Sequence, residues 1–185
     1  KRAHALKLRL MIDFHYSDNF ADPSKQTTPA VWTNYDIEQL KEAVADHTTD
    51  VLTALRDSGI TPEWIQVGNE TRCGMLWPTG QLWDKNGDLP NGWKNYAALT
   101  QAGYNACKAV FPDAQVIVHI DNAYEDNRWF FRKMKANGGK FDMIGLSHYP
   151  MMKEWTGKDW QETNQLAEKN IKLLYAEFKC PIMIT

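Results

Sequence analysis

The sequence predicts an α/β fold built on a parallel sheet, and two observations carry that prediction. Several apolar runs end abruptly in polar residues, and the segments between them follow helical spacing. Trp64-Ile-Gln-Val-Gly-Asn69-Glu70 is the most informative run. Bounded by Pro62 and Gly68, it reads as a buried strand that closes on an amide and a carboxylate side by side. Leu8 to Asp18, Gln115 to Asn122 and Phe141 to Pro150 repeat the pattern, and the short run Pro181-Ile-Met-Ile-Thr185 adds a fifth strand. In a parallel arrangement their polar ends converge on the mouth of the sheet, where open α/β sheets and barrels both keep their chemistry.

The intervening segments make the strands parallel. From Ile37, the residues Leu40, Val44, Val51 and Leu55 follow a helical period, with Gly59 as a C-terminal stop. Tyr96, Leu99, Gly103, Cys107 and Val110 mark a second helix, ended by Pro112. Trp129 to Met134 is a shorter third, and Ala167, Ile171, Leu174 and Phe178 mark a fourth that runs into Pro181. The order is β-α-β-α-β-α-β-α-β with right-handed crossovers. Aromatic residues on these helical faces are read as core.

At 185 residues the chain can bury a substantial core as one domain spanning 1–185. A closed (β/α)8 barrel usually takes roughly 250 residues. Lys1-Arg2-Ala3-His4-Ala5 looks like the tail of a helix and the last run lies at a strand, so the chain is expected to be part of a larger barrel. A net charge of −2 without a basic stripe argues against nucleic acid. Nothing resembles a signal peptide, a transmembrane span or a low-complexity tract. Cys73, Cys107 and Cys180 are an odd number without metal-ligand spacing, read as structural thiols that say nothing of compartment.

Glu70 is the residue type most often used as general acid on a glycosidic bond, and Asn69 beside it can hold a sugar hydroxyl; the alternative is a surface Glu at a strand end. The loops add a second signal. Trp32 follows Thr28-Pro29-Ala30-Val31, Trp77 follows Gly74-Met75-Leu76, and Trp83 and Trp93 lie beyond. Tryptophan in polar loops at a sheet mouth is costly unless something covers it. Trp32 and Trp77 are candidates for stacking on sugar rings, and stacking carries less weight for Trp83 and Trp93; anchoring a loop to the rim is the other explanation for each.

Taken together these segments resemble the family 53 glycoside hydrolases, the endo-β-1,4-galactanases, retaining enzymes of the large clan of (β/α)8 glycosidases. Asp13-Phe-His-Tyr-Ser-Asp18, with Ala21-Asp-Pro23 and Gln26-Thr-Thr-Pro29, is similar to the third-strand signature of that family. Gln66-Val-Gly-Asn-Glu70 matches its fourth strand and Gly74-Met-Leu-Trp-Pro78 the loop that follows. Val118-His-Ile-Asp121 matches strand five and Gly145-Leu-Ser-His-Tyr-Pro150 strand six. The resemblance covers nearly the whole chain, in order. It implies a partial (β/α)8 catalytic domain spanning strands three to seven, with the nucleophilic Glu directly after a run like Pro181 to Thr185.

By the same resemblance Glu70 is the acid/base, Asn69 bonds the 2-hydroxyl of the transferred sugar, and Tyr149 donates to the nucleophile. His148, His119, Asp121 and His15 line the central subsite, and Trp32 and Trp77 stack on flanking sugars. The implied partner is a β-1,4-galactan polysaccharide, with no cofactor and no metal ligands in this chain, and a secreted or cell-surface location follows from so large a substrate. Two other readings stay open. His15, His119 and His148 at three strand ends could hold a metal in a barrel hydrolase, although the Asn-Glu pair and the loop tryptophans are then unexplained. A carbohydrate-binding barrel without hydrolysis is the second, and the residue after Thr185 separates it from the enzyme.

Overall fold

The structure is a computed structural model that describes residues 1–185. Five strands form one sheet: β1 (Met11–Phe14), β2 (Trp64–Val67), β3 (Gln115–Ile120), β4 (Met143–Leu146) and β5 (Ile182–Ile184). Every neighbouring pair is parallel, and the spatial order is the chain order. That order never reverses, so right-handed crossovers put all the helices on one face, as in a barrel wall and unlike a doubly wound sheet. The long helices are α1 (Ile37–Asp57), α2 (Gly92–Val110), α3 (Arg128–Ala136) and α4 (Trp160–Phe178), each packed on the next, with a single turn at Lys153–Thr156 before the last. The predicted helix tail is a single turn, Arg2–Ala5.

Local chemistry explains where the helices start. Asp36 caps α1 by accepting from the Gln39 amide at 2.9 Å, while the Gln39 side chain accepts from the Asp36 amide at 3.0 Å. Asp159 accepts from the Glu162 amide at 2.8 Å at the head of α4. Each such cap contributes about 1 kcal/mol. The strands are shorter than the apolar runs that predict them. β1 begins only at Met11 because its partner begins at Trp64, leaving Leu8 exposed.

Alternation along the strands divides their side chains between two faces. Phe14, Ile65, Val67, Val116, Val118, Ile120, Ile144 and Leu146 join Leu40, Val44, Leu52, Tyr96, Leu99, Phe130, Phe131 and Leu174 in one core between sheet and helices. The opposite face carries Asp13, Gln66, His119 and Gly145. Asp13 is paired in register with Gln66, and His119 with Gly145. A Cβ at Gly145 would lie 2.8 Å from Ile117 Cγ2 and 3.2 Å from His119 Cβ, so the missing side chain makes room for the His119 ring.

One region departs from the prediction. After Glu70 the chain makes a 3-10 turn (Thr71–Cys73) and two small antiparallel ladders, Gly74–Met75 with Gly80–Gln81 and Trp83–Asp84 with Gly87–Asp88. Trp83, Trp93, Trp129 and Phe130 cluster there with ring centroids 5.3–6.2 Å apart, so Trp83 anchors its loop to α2 through Trp93, which lies in the first turn of that helix, and to α3 through Trp129. No helix is long and apolar enough to cross a membrane.

Candidate active site

Glu70 stands just beyond β2, at the C-terminal end of the sheet, and is only 9% exposed. Its backbone is left-handed (φ 48°, ψ 48°), as are those of Tyr16 after β1 (φ 50°) and Asn122 after β3 (φ 62°). A non-glycine residue there is strained by about 1–3 kcal/mol and persists only when its surroundings fix it. The surroundings do so here. The Gln26 side-chain amide donates to the carbonyls of Asn69 and Glu70 at 2.8 and 3.4 Å, and the Glu70 amide donates to His119 Nδ1 at 3.2 Å.

The carboxyl of Glu70 is bonded through one oxygen. Ser147 Oγ lies 2.5 Å from Oε1 and 2.8 Å from His119 Nε2, while Thr185 Oγ1 lies 2.7 Å from the same ring nitrogen. Burial holds the Glu70 carboxyl above the usual carboxylate range, and the charges of Asp121 and Asp22 push the same way. The Ser147 hydrogen bond and Arg72 oppose them. A carboxyl whose proton is held more tightly in this way is suited to general-acid work. Arg72 is itself clamped by Asp121 through two hydrogen bonds of 2.7 and 3.0 Å.

Around this carboxyl lies a cleft of about 410 Å³, lined among others by Glu70, Asp22, Asp121, Ser147, Tyr149 and Trp155. Phe20 stands on the same cleft. Tyr149 and Trp155 meet edge-on at 5.5 Å and are 48% and 63% exposed; Phe20, 72% exposed, packs edge-on against His15 at 4.7 Å. Three aromatic faces open to solvent beside a buried acid are what a sugar chain needs, because a pyranose has an apolar face that covers such rings.

The structure thus brings Glu70, Asp121 and Tyr149 together on one cleft, with His119 directly behind. Asn69 is buried next to them, its amide spent within the protein: Nδ2 donates to the Ala21 carbonyl at 2.8 Å, and Oδ1 accepts from Gln66 Nε2 at 3.2 Å. His15 bonds Asp13 at 3.1 Å and accepts from the Ala21 amide at 3.0 Å, shaping the loop that carries Phe20. Four residues are not brought to the cleft, His15 among them. His148 turns to Asn164 on α4 at 2.8 Å. Trp32 packs edge-on against His47 of α1 and shares a separate depression with Asp13 and His15. Trp77 donates from its indole to the Cys73 carbonyl at 3.1 Å, fixing its own loop.

Sequence reasoning missed Ser147, Arg72, Phe20 and Trp155. Arg72 could have been found from its place two residues after Glu70, facing an acid at the next strand end. Phe20 could have been found as an apolar residue between Asn19 and Asp22. His15, His119 and His148 each take a different partner, and no group of three His, Cys, Asp or Glu side chains converges as a metal site requires.

His119 gives the site a pH signature. Burial, with a smaller contribution from His15, lowers its pKa to about 4. An unfolded His titrates near ~6.5, so between roughly 6.5 and 4 the unfolded chain binds more protons. The stability this buried neutral ring permits is therefore complete above that window and lost as pH falls through it, by ~3 kcal/mol. Glu70 and Asp13, both raised chiefly by burial, act in the opposite direction. Urea midpoints of the wild type and His119→Asn between pH 7 and 4 isolate the effect. The variant should lose less stability on acidification, and equal losses would contradict the assignment.

Comparison with known proteins places these features. The profile of glycosyl hydrolase family 53 matches residues 1–185. The chain is 37% identical over 158 residues to an arabinogalactan endo-β-1,4-galactanase of Thermothelomyces thermophilus, covering 81% of this chain and 45% of that protein. It is 37% identical over 162 residues to the enzyme of the same name from Cellvibrio japonicus, covering 84% and 42%. An uncharacterised protein of Niallia circulans is 35% identical over 186 residues, covering 100% and 49%. Among solved structures, a chain from a study of two fungal β-1,4-galactanases superposes with a TM-score of 0.84 at 31% identity, covering 100% of this chain and 53% of that one. The family 53 catalytic domain of Ignisphaera aggregans also gives 0.84, at 30% identity, covering 99% and 47%. The chain spans about half the length of the curated relatives it matches. Its five-stranded arc is therefore the (β/α)8 wall of these relatives over the part the two share.

Proposed function

The chain belongs to glycosyl hydrolase family 53, and on that premise we propose that the protein it represents is an endo-β-1,4-galactanase working with retention. The observation that carries the reading is Glu70: a buried carboxyl, raised in pKa, at a strand end on a cleft walled by Phe20, Tyr149 and Trp155. Glu70 protonates the leaving sugar oxygen. It then removes a proton from the water that opens the covalent glycosyl-enzyme. A retaining site needs a second carboxyl ~5–5.5 Å from the first. The end of β5 is suited to deliver it, since Thr185 already touches His119, which shares Ser147 with Glu70.

Asp121, held by Arg72, faces the same cleft and is positioned to accept from sugar hydroxyls. Asn69 is the residue the family resemblance assigns to the 2-hydroxyl; with Nδ2 engaged by Ala21, only Oδ1 could accept from it, and that oxygen already accepts from Gln66. The names of the relatives direct the substrate to galactan. A polymer of that size is met outside the cell, which makes a secreted or surface-bound protein the natural setting. The test is galactan cleavage by the full-length protein, with the anomer released at early times followed by proton NMR. Retention is expected. Inverted product would overturn the mechanism, and binding of galactan without cleavage would make the protein a carbohydrate-binding barrel.

A further inference from the structure

Ser147 occupies a position that the acid/base assignment of Glu70 leaves without a role. It is buried at the end of β4, and its single hydroxyl touches both Glu70 Oε1, at 2.5 Å, and His119 Nε2, at 2.8 Å. The direction of these bonds follows from the carboxylate. An ionised Glu70 can only accept, so Ser147 gives its one proton to Oε1 and in turn accepts from Nε2 of the neutral His119, whose Nδ1 lies 3.2 Å from the Glu70 amide and 3.0 Å from Asn69 Oδ1. The other carboxyl oxygen, Oε2, has no hydrogen-bond partner in the protein, and Glu70 lines the cleft, which leaves Oε2 as the oxygen free to meet a substrate.

We propose that Ser147 is a positioning residue for the acid/base: held by His119, it pins Oε1 of Glu70 so that Oε2 alone exchanges protons with the substrate and with water. This rests on the reading of Glu70 as acid/base. In the first step the proton leaves Oε2 for the glycosidic oxygen as the bond to the anomeric carbon breaks. In the second, Oε2 takes a proton from the attacking water. Ser147 donates to Oε1 throughout, and neither its proton nor that of His119 is consumed. The bond strengthens when Glu70 is ionised, since a hydrogen bond to a charged acceptor is the stronger kind. The pKa of Glu70 is accordingly held lower than burial and the charges of Asp121 and Asp22 would set it, with Arg72 acting in the same sense as Ser147.

The experiment compares Ser147→Ala, Ser147→Cys and Ser147→Thr in the full-length protein, by pH profiles of kcat/KM on galactan and on an aryl galactoside whose leaving group needs no proton. Alanine removes the donor, and cysteine replaces it with a weak one at nearly the same volume. Both should lower kcat/KM on galactan about 10-fold, the equivalent of one hydrogen bond to a charged group, and spare the aryl substrate. Both should also move the alkaline limb to higher pH, because the ionised form of Glu70 has lost its donor. Threonine, which keeps the hydroxyl, should restore both. An unmoved alkaline limb in the alanine and cysteine variants, or a threonine variant as impaired as alanine, overturns the role. Failure of the wild type to cleave galactan is a different result and removes the function reading itself.

Discussion

Glutamine in place of Glu70 is expected to lower galactan turnover by the full-length protein on the order of 10²–10⁴-fold, the usual contribution of a positioned general acid. The substitution keeps the shape of the side chain, and Ser147 can still donate to the amide oxygen, so the fold should be unaffected. What disappears is the proton on the cleft side. A substrate with an activated leaving group does not need that proton and should still form the glycosyl-enzyme. Its release should lag for want of a base, and azide, which attacks without deprotonation, should restore turnover, most clearly in Glu70→Ala where space is opened. Steady-state rates on both substrates with and without azide decide the matter. Near wild-type cleavage of galactan by the glutamine variant would remove Glu70 from the chemistry.

The largest loss of stability from a small change is expected at Gly74. Its backbone (φ 92°, ψ −169°) lies in a region that side-chain-bearing residues avoid. A Cβ there would sit 2.0 Å from the Gly80 carbonyl oxygen and within 3.1 Å of Gly80 C and Gln81 Cα. All three are backbone atoms, so no flexible side chain can yield. Gly74→Ala must separate the Gly74–Met75 and Gly80–Gln81 ladder, at a cost of about 3 kcal/mol or more. The damage should reach the site, because this ladder closes the loop that begins at Glu70 and carries Trp77. Urea unfolding should show the loss directly, together with a lower kcat/KM on galactan. An alanine variant within about 1 kcal/mol of the wild type would show that the ladder can open without consequence.

How much of this was legible in the sequence depends on the range of the interaction. The four helices and the five parallel strands follow from periodicity, a local property, and each was found where the spacing put it. That Glu70 stands at a strand end was legible from the apolar run before it, and the structure shows it buried there and lining a cleft. The ladders after it were missed, although the second turns through Lys85-Asn86 with Gly87 as the first residue back in the ladder, residue types that mark a turn. The aromatic residues show the limit of local reasoning most clearly. Tryptophan was a sound marker for loops with something to cover, yet Phe20 and Trp155 face the cleft while Trp32 lies against His47. Residue type says that a ring must be covered; only the path of the loop says by what. Ser147 was invisible for a related reason, since its partners lie 28 and 77 residues away in the chain.

The left-handed backbones at Tyr16, Glu70 and Asn122 carry an evolutionary consequence. Each sits at a strand end where glycine would be the less strained choice, and at position 70 the side chain that resists the conformation is the one the proposed chemistry requires. Selection for heat tolerance alone would favour glycine or asparagine there, and so would erase the acid/base while making the barrel wall sturdier. Selection for turnover holds the strained residue in place. On the proposed role of Glu70, position 70 is where the two pressures oppose each other, and relatives that had lost hydrolysis would be expected to carry glycine or asparagine there, with a less strained backbone as the outcome.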